Sequence, residues 1–132
     1  MSYSYIAIDT NILLRFILQH DNPQTSTVNS LFQEATTLVI PDQALIEVCF
    51  VLSRHYGYSR KGVATVLGAV TSMQHVVCEY DVLENSLGLW MKFPKLSFED
   101  CWMVYSCEKK GIELLTLDKK LANQAPSAKL LV

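Results

Sequence analysis

Four carboxylates stand beside apolar runs at separated points of this 132-residue chain. Asp9 follows the strand-like Tyr5-Ile6-Ala7-Ile8, and Glu47 lies inside the helix-like run from Ala44 to Leu52. Asp100 opens the helix-like run to Cys107, and Asp118 follows the strand-like Glu113 to Leu117. An acid at the end of a buried strand costs free energy unless something compensates it. Acids at the strand ends of an α/β sheet can meet in the crevice beyond the carboxyl ends of the strands. A hard divalent cation bound by oxygen ligands holds such acids together. Two carboxylates about 4 Å apart repel by roughly 4 kcal/mol at an effective dielectric near 20, so the group favours a bound cation or protonation. The chemistry expected of it is metal-dependent cleavage of a phosphodiester bond.

Each acid has a structural alternative. Asp9, followed by Thr10 and Asn11, fits a helix cap, and so does Asp118 ahead of Lys119. Asp100 closes a Ser97-Phe98-Glu99-Asp100 pattern that opens a helix, with Glu99 as a neighbouring candidate. Glu47 is flanked by apolar residues on both sides, which predicts partial burial and a partner. At roughly 100° per residue, Gln43, Glu47 and Arg54 fall within about 40° of one another, a thin polar stripe that Phe50 interrupts. Thr116, two residues before Asp118, adds a hydroxyl able to orient a carboxylate or a water.

The elements that must position these side chains alternate between short and long apolar runs. Strands are expected at 3–8, 37–40, 75–78, 113–117 and 129–131. Helices are expected at 11–18, 23–35 (capped by Asn22), 42–55, from Ser59 to about 73, 81–93, from Ser97 to Gly111, and 119–124. Strands alternating with helices imply a three-layer α/β/α arrangement around a central, mainly parallel sheet. The length predicts one domain over 1–132. A chain of this size buries enough surface to need no staple.

Half the residues are hydrophobic and 18% are charged, the balance of a globular chain. No run reaches the roughly 18 apolar residues of a membrane span. No secretory signal is visible, so a cytoplasmic location is expected. Cys49, Cys78, Cys101 and Cys107 lack metal spacing and read as apolar packing residues. His20, His55 and His75 are scattered, without a local nucleophile. The net charge of −2 argues against a tight, nonspecific DNA binder. Small basic clusters (Arg54 with Arg60 and Lys61, Lys92 with Lys95, Lys109 with Lys110, Lys119 with Lys120) could still line a phosphate track. An aspartyl-nucleophile phosphatase at Asp9 is disfavoured, because that chemistry usually wants a second Asp where Asn11 stands.

Three stretches carry a family likeness: IAIDTNILLRFI from Ile6, IPDQALIEVCFVL from Ile40, and LSFEDCWMVYSCEKKGIELLTLDKKL from Leu96. In this order they resemble the PIN-domain ribonucleases, most closely the VapC-type toxins of toxin–antitoxin pairs. Two positions depart from the pattern: Leu121 replaces a common aromatic, and Ser97 stands where some members carry a further acid. The resemblance implies an Mg²⁺- or Mn²⁺-dependent endoribonuclease. Asp9, Glu47, Asp100 and Asp118 would be catalytic and metal-binding, with Thr10, Asn11 and Thr116 supporting them. It also implies an RNA substrate, a homodimer and a small antitoxin laid into a groove between helices, to which Phe16, Phe32, Phe50 and Tyr56 could contribute. An RNA-processing nuclease without a toxin role, and a catalytically silent interaction module, are the alternatives.

Overall fold

Short parallel strands and longer helices alternate along the computed structural model, which describes residues 4–132. The chain forms two compact units, one ending at Tyr80 and the other running from Asp81 to Val132. In the first, β1 (Tyr5–Ala7), β2 (Thr37–Val39) and β3 (Val76–Val77) form a parallel sheet in the order β1-β2-β3. The ladder runs slightly past the strand ends: Ile8 N donates to Val39 O and Ile40 N to Val77 O, at 3.0 and 2.9 Å. Parallel pairs require crossovers. Helices α1 (Thr10–Leu18) and α2 (Pro23–Glu34) connect β1 to β2, and α3 (Asp42–His55) and α4 (Arg60–Thr71) connect β2 to β3. Tyr3, expected at the start of β1, lies outside the described residues.

The local chemistry explains the helix starts. Asn22 caps α2 by accepting from Gln24 N, with Pro23 in the first turn where no amide is needed. Ser59 accepts from Gly62 N at the start of α4. Helix α3 is apolar on one face, and Ala44, Leu45, Val48, Cys49 and Leu52 are buried. Its outer face carries Phe50, 57% exposed beneath Arg54, whose guanidinium carbon lies 5.8 Å from the ring centroid. Helices α1 and α2 meet through Phe16 and Phe32, whose rings stack 3.7 Å apart with an interplanar angle of 2°.

The second unit contains α5 (Tyr80–Lys92, beginning one residue earlier), α6 (Phe98–Lys110), β4 (Leu114–Thr116), α7 (Lys119–Gln124) and β5 (Ala128–Leu130). Strands β4 and β5 pair in parallel. Helix α6 opens with a reciprocal capping box between Ser97 and Asp100 and closes at Gly111, whose φ of 68° suits a residue without a Cβ. Tyr105 Oη and Lys109 Nζ both donate to Asp81 Oδ2, at 2.9 and 3.1 Å, and tie α6 to α5. These bonds, Lys109 first and then Tyr105, hold the Asp81 carboxyl below its ordinary value. Leu121, the departure from the family pattern, is buried.

The expected elements are present; the first four strands are trimmed to two or three residues, and the last keeps three but begins one residue earlier. All the pairings are parallel, as the α/β reading requires, and they hydrogen-bond as two separate sets.

Candidate active site

Asp9 and Glu47 line one crevice of about 440 Å³ in the first unit, together with Ile8, Thr10, Pro41 and Gln43. Asp9 arrives there because β1 ends just before it and α1 begins just after it. Its Oδ1 accepts from Ile12 N at 3.0 Å and caps α1. Among the described residues its Oδ2 accepts no hydrogen bond, so the cap occupies only half of the carboxylate. Glu47 projects from α3 and is held from two directions. Thr10 Oγ1 donates to Oε2 at 2.7 Å, and Gln43 Nε2 donates to Oε1 at 3.1 Å.

Glu47 has the expected partners but not the expected burial: it is exposed. Sequence neighbours on a helix point in directions about 100° apart, so the apolar residues flanking Glu47 bury other faces. The stripe shared with Gln43 was the better guide. Gln43 itself was not identified as a site residue, although its i,i+4 spacing to Glu47 was the available signal. Thr10, named as a supporting residue, lies within hydrogen-bond reach of Glu47. Asn11 lines a separate groove and bonds to neither acid.

Asp100 and Asp118 lie in the second unit. Asp100 Oδ2 accepts from Ser97 N at 3.4 Å, and Asp100 N donates to Ser97 Oγ at 3.1 Å. Asp118 Oδ1 accepts from Lys120 N and Leu121 N, at 2.9 and 3.3 Å, capping α7. Thr116 Oγ1 accepts from Asp118 N at 3.0 Å, fixing the backbone rather than the carboxylate. Asp9, Asp100 and Asp118 therefore all serve as caps, and each keeps one oxygen without a hydrogen bond among the described residues.

The donors in the first-unit crevice are oxygens of carboxylate, hydroxyl and amide groups, the ligand type of a hard cation. Among the described residues, no group of three or more His, Cys, Asp or Glu side chains is placed to hold a metal ion. Two carboxylates fit Mg²⁺ or Mn²⁺ only as part of a shell. Mg²⁺ suits such a partial set, because it keeps several of its waters.

A further acidic pair, which sequence reading missed, follows β2 and β3. Partial desolvation and then Glu79 raise the Asp42 carboxyl above its usual range. Burial, then Glu79 and Asp42, raise the Cys78 thiol. Cys49 and Cys101 are buried, and Cys78 and Cys107 half-buried. Iodoacetamide at pH 8 is therefore expected to modify only Cys78 and Cys107 in the native protein. Glu79→Gln should accelerate the Cys78 reaction by increasing its thiolate fraction. Mass spectrometry of timed samples checks this, and an unchanged Cys78 rate would mean that burial alone sets it.

Beside Asp9 lies a larger groove of about 640 Å³, bounded by β1, α1 and α2. Ile6, Ile8, Ile12, Val28 and Leu31 give it an apolar lining, with Asn11 and Arg15 from α1 and Glu34 from α2. Of the aromatic residues considered for a groove, Phe32 is buried in the α1–α2 contact, while Phe50 and Tyr56 are exposed. None of these three lines the groove beside Asp9.

The family model for the PIN domain matches residues 6–125. Among solved structures, the crystal structure of VapC20 from Mycobacterium tuberculosis, a sarcin–ricin loop cleaving toxin, aligns with 89% of this chain and 92% of its own, at 17% sequence identity and a TM-score of 0.43. No curated protein matches the chain.

Proposed function

This chain belongs to the PIN domain family, and on that premise we propose that it is a metal-dependent endoribonuclease, the toxin of a toxin–antitoxin pair. One observation carries the reading: the Thr10–Glu47 hydrogen bond joins the first and second motif blocks, 37 residues apart, beside Asp9. The order and spacing of the three blocks, which resemble VapC-type toxins, support the toxin role.

By the resemblance, Asp9, Glu47, Asp100 and Asp118 would hold Mg²⁺ or Mn²⁺, directly or through water, with Glu47 alternatively orienting the attacking water. The cation, when bound, supplies a more acidic water and positive charge beside the phosphate. The chain's own residues set the geometry. The α1 cap fixes the torsions of Asp9, and Thr10 fixes the Glu47 carboxylate. The hydroxyl of Thr116 holds the backbone at Asp118. Lysines and arginines outside the acid sites steer RNA through its phosphates, which gives affinity without sequence choice. The small antitoxin lays an apolar segment into the groove beside Asp9, and the protein acts in the cytoplasm as a homodimer. Among the described residues, no helix is long and apolar enough to cross a membrane.

The capping bonds of three acids favour one competing reading, a silent module whose acids are structural. Incubating the purified protein with total RNA, in chelator and in millimolar Mg²⁺ or Mn²⁺, separates the two. Cleavage that needs the metal and disappears in Asp9→Asn is expected. No cleavage in either metal, or equal cleavage by Asp9→Asn, would overturn the nuclease reading.

A further inference from the structure

We infer that Gln43 is a positioning residue of this reaction, acting through Glu47; the inference rests on the nuclease reading above. Glu47 is exposed, and a glutamate in water samples many rotamers. A group that must hold a cation or a water in one place works best when its rotamer is already selected. Glu47 has two such restraints, on different oxygens. Thr10 reaches Oε2 from α1, and Gln43, one turn earlier on α3, reaches Oε1. A single donor leaves the carboxylate plane free to turn about that bond. A second donor on the other oxygen fixes the plane.

Gln43 lines the same crevice as Asp9 and Glu47, so its amide lies beside the space where reacting groups would sit. An amide suits this role better than a charged group. A lysine would compete with the cation for Glu47, and a glutamate would repel Glu47. Each Glu47 oxygen accepts one protein donor, and a carboxylate offers about four lone-pair sites. Capacity therefore remains for a cation or a water.

Gln43→Met keeps the length and helix propensity of the side chain but loses the donor. In this variant kcat is expected to fall about tenfold with KM for RNA nearly unchanged, and the affinity for Mn²⁺ alone, followed by titration calorimetry, is expected to fall by a similar factor. The thermal midpoint should stay at the wild-type value. In a Glu47→Gln background, the same substitution should change neither quantity, because the carboxylate it positions is gone. A structural role for Gln43 would not depend on Glu47. If Gln43→Met lowers both quantities equally in the two backgrounds, the inference is overturned. It is also overturned if Gln43→Met matches an active wild type, while the nuclease reading stands. If the wild type neither binds Mn²⁺ nor cleaves RNA, both fall together.

Discussion

Asp9→Asn, Glu47→Gln, Asp100→Asn and Asp118→Asn are each expected to lower RNA cleavage by roughly 10²–10³-fold, about 3–4 kcal/mol of transition-state stabilisation, while leaving the protein folded. The capping geometry makes the aspartate changes informative. Asn is as good an N-cap as Asp, and its Oδ1 can still accept from Ile12 N in α1 or from Lys120 N and Leu121 N in α7. The substitution removes a proposed cation ligand and keeps the cap, so a loss of activity with an unchanged thermal midpoint belongs to the chemistry. Alanine at the same positions removes both and should also cost about 0.5–2 kcal/mol of stability. Groups that act as a unit are not additive, so Asp9→Asn with Asp118→Asn should be little worse than either alone. Asp100 is the sharpest case, because the bond its carboxylate receives from Ser97 N is long, at 3.4 Å. Wild-type cleavage by Asp100→Asn would leave that residue as a cap and reduce the site to three acids.

Phe32→Ala is expected to be the most destabilising of the simple truncations considered, at about 3–5 kcal/mol. Phe32 is 2% exposed, and its ring lies flat against Phe16 where α1 meets α2. Truncation removes the transfer free energy of the ring and leaves a cavity between two helices whose positions shape the groove beside Asp9. Against a typical domain stability of about 5–15 kcal/mol, such a loss brings the chain near its limit. In urea the midpoint should fall with the slope unchanged. A loss below about 1 kcal/mol would mean that α2 re-packs freely and that the stack contributes little.

The sequence revealed the helices better than the strands. Asp42–His55 and Lys119–Gln124 match their expected bounds, because Pro41 and Asp118 mark where each begins. Caps at Asn22, Ser59, Ser97 and Gly111 were readable, since a cap is a property of three or four adjacent residues. The first four strands came out shorter, as in Val76–Val77 for an expected 75–78, because pairing depends on a partner that one strand's sequence does not contain. The four acids could be proposed from motif order. The bond from Thr10 to Glu47 could not, because a contact across 37 residues has no period. Glu47 shows where local reasoning failed: adjacency suggested burial, while the helical stripe correctly placed it beside Gln43.

Two of the three parallel pairings, β4 with β5 and β1 with β2, impose different costs on the order of folding. Between β4 and β5 the chain spends residues 117–127, including the six-residue α7, whereas between β1 and β2 it spends residues 8–36. Closure entropy grows with the logarithm of loop length, so the longer crossover costs about 0.9 kcal/mol more before any contact repays it. Loops near ten residues close in roughly 10–100 ns. The β4–α7–β5 segment is thus the cheaper of the two to assemble, and its entry into α7 is set by Asp118. One carboxylate thereby stands at the start of an early-closing segment and in the set of acids assigned to the chemistry.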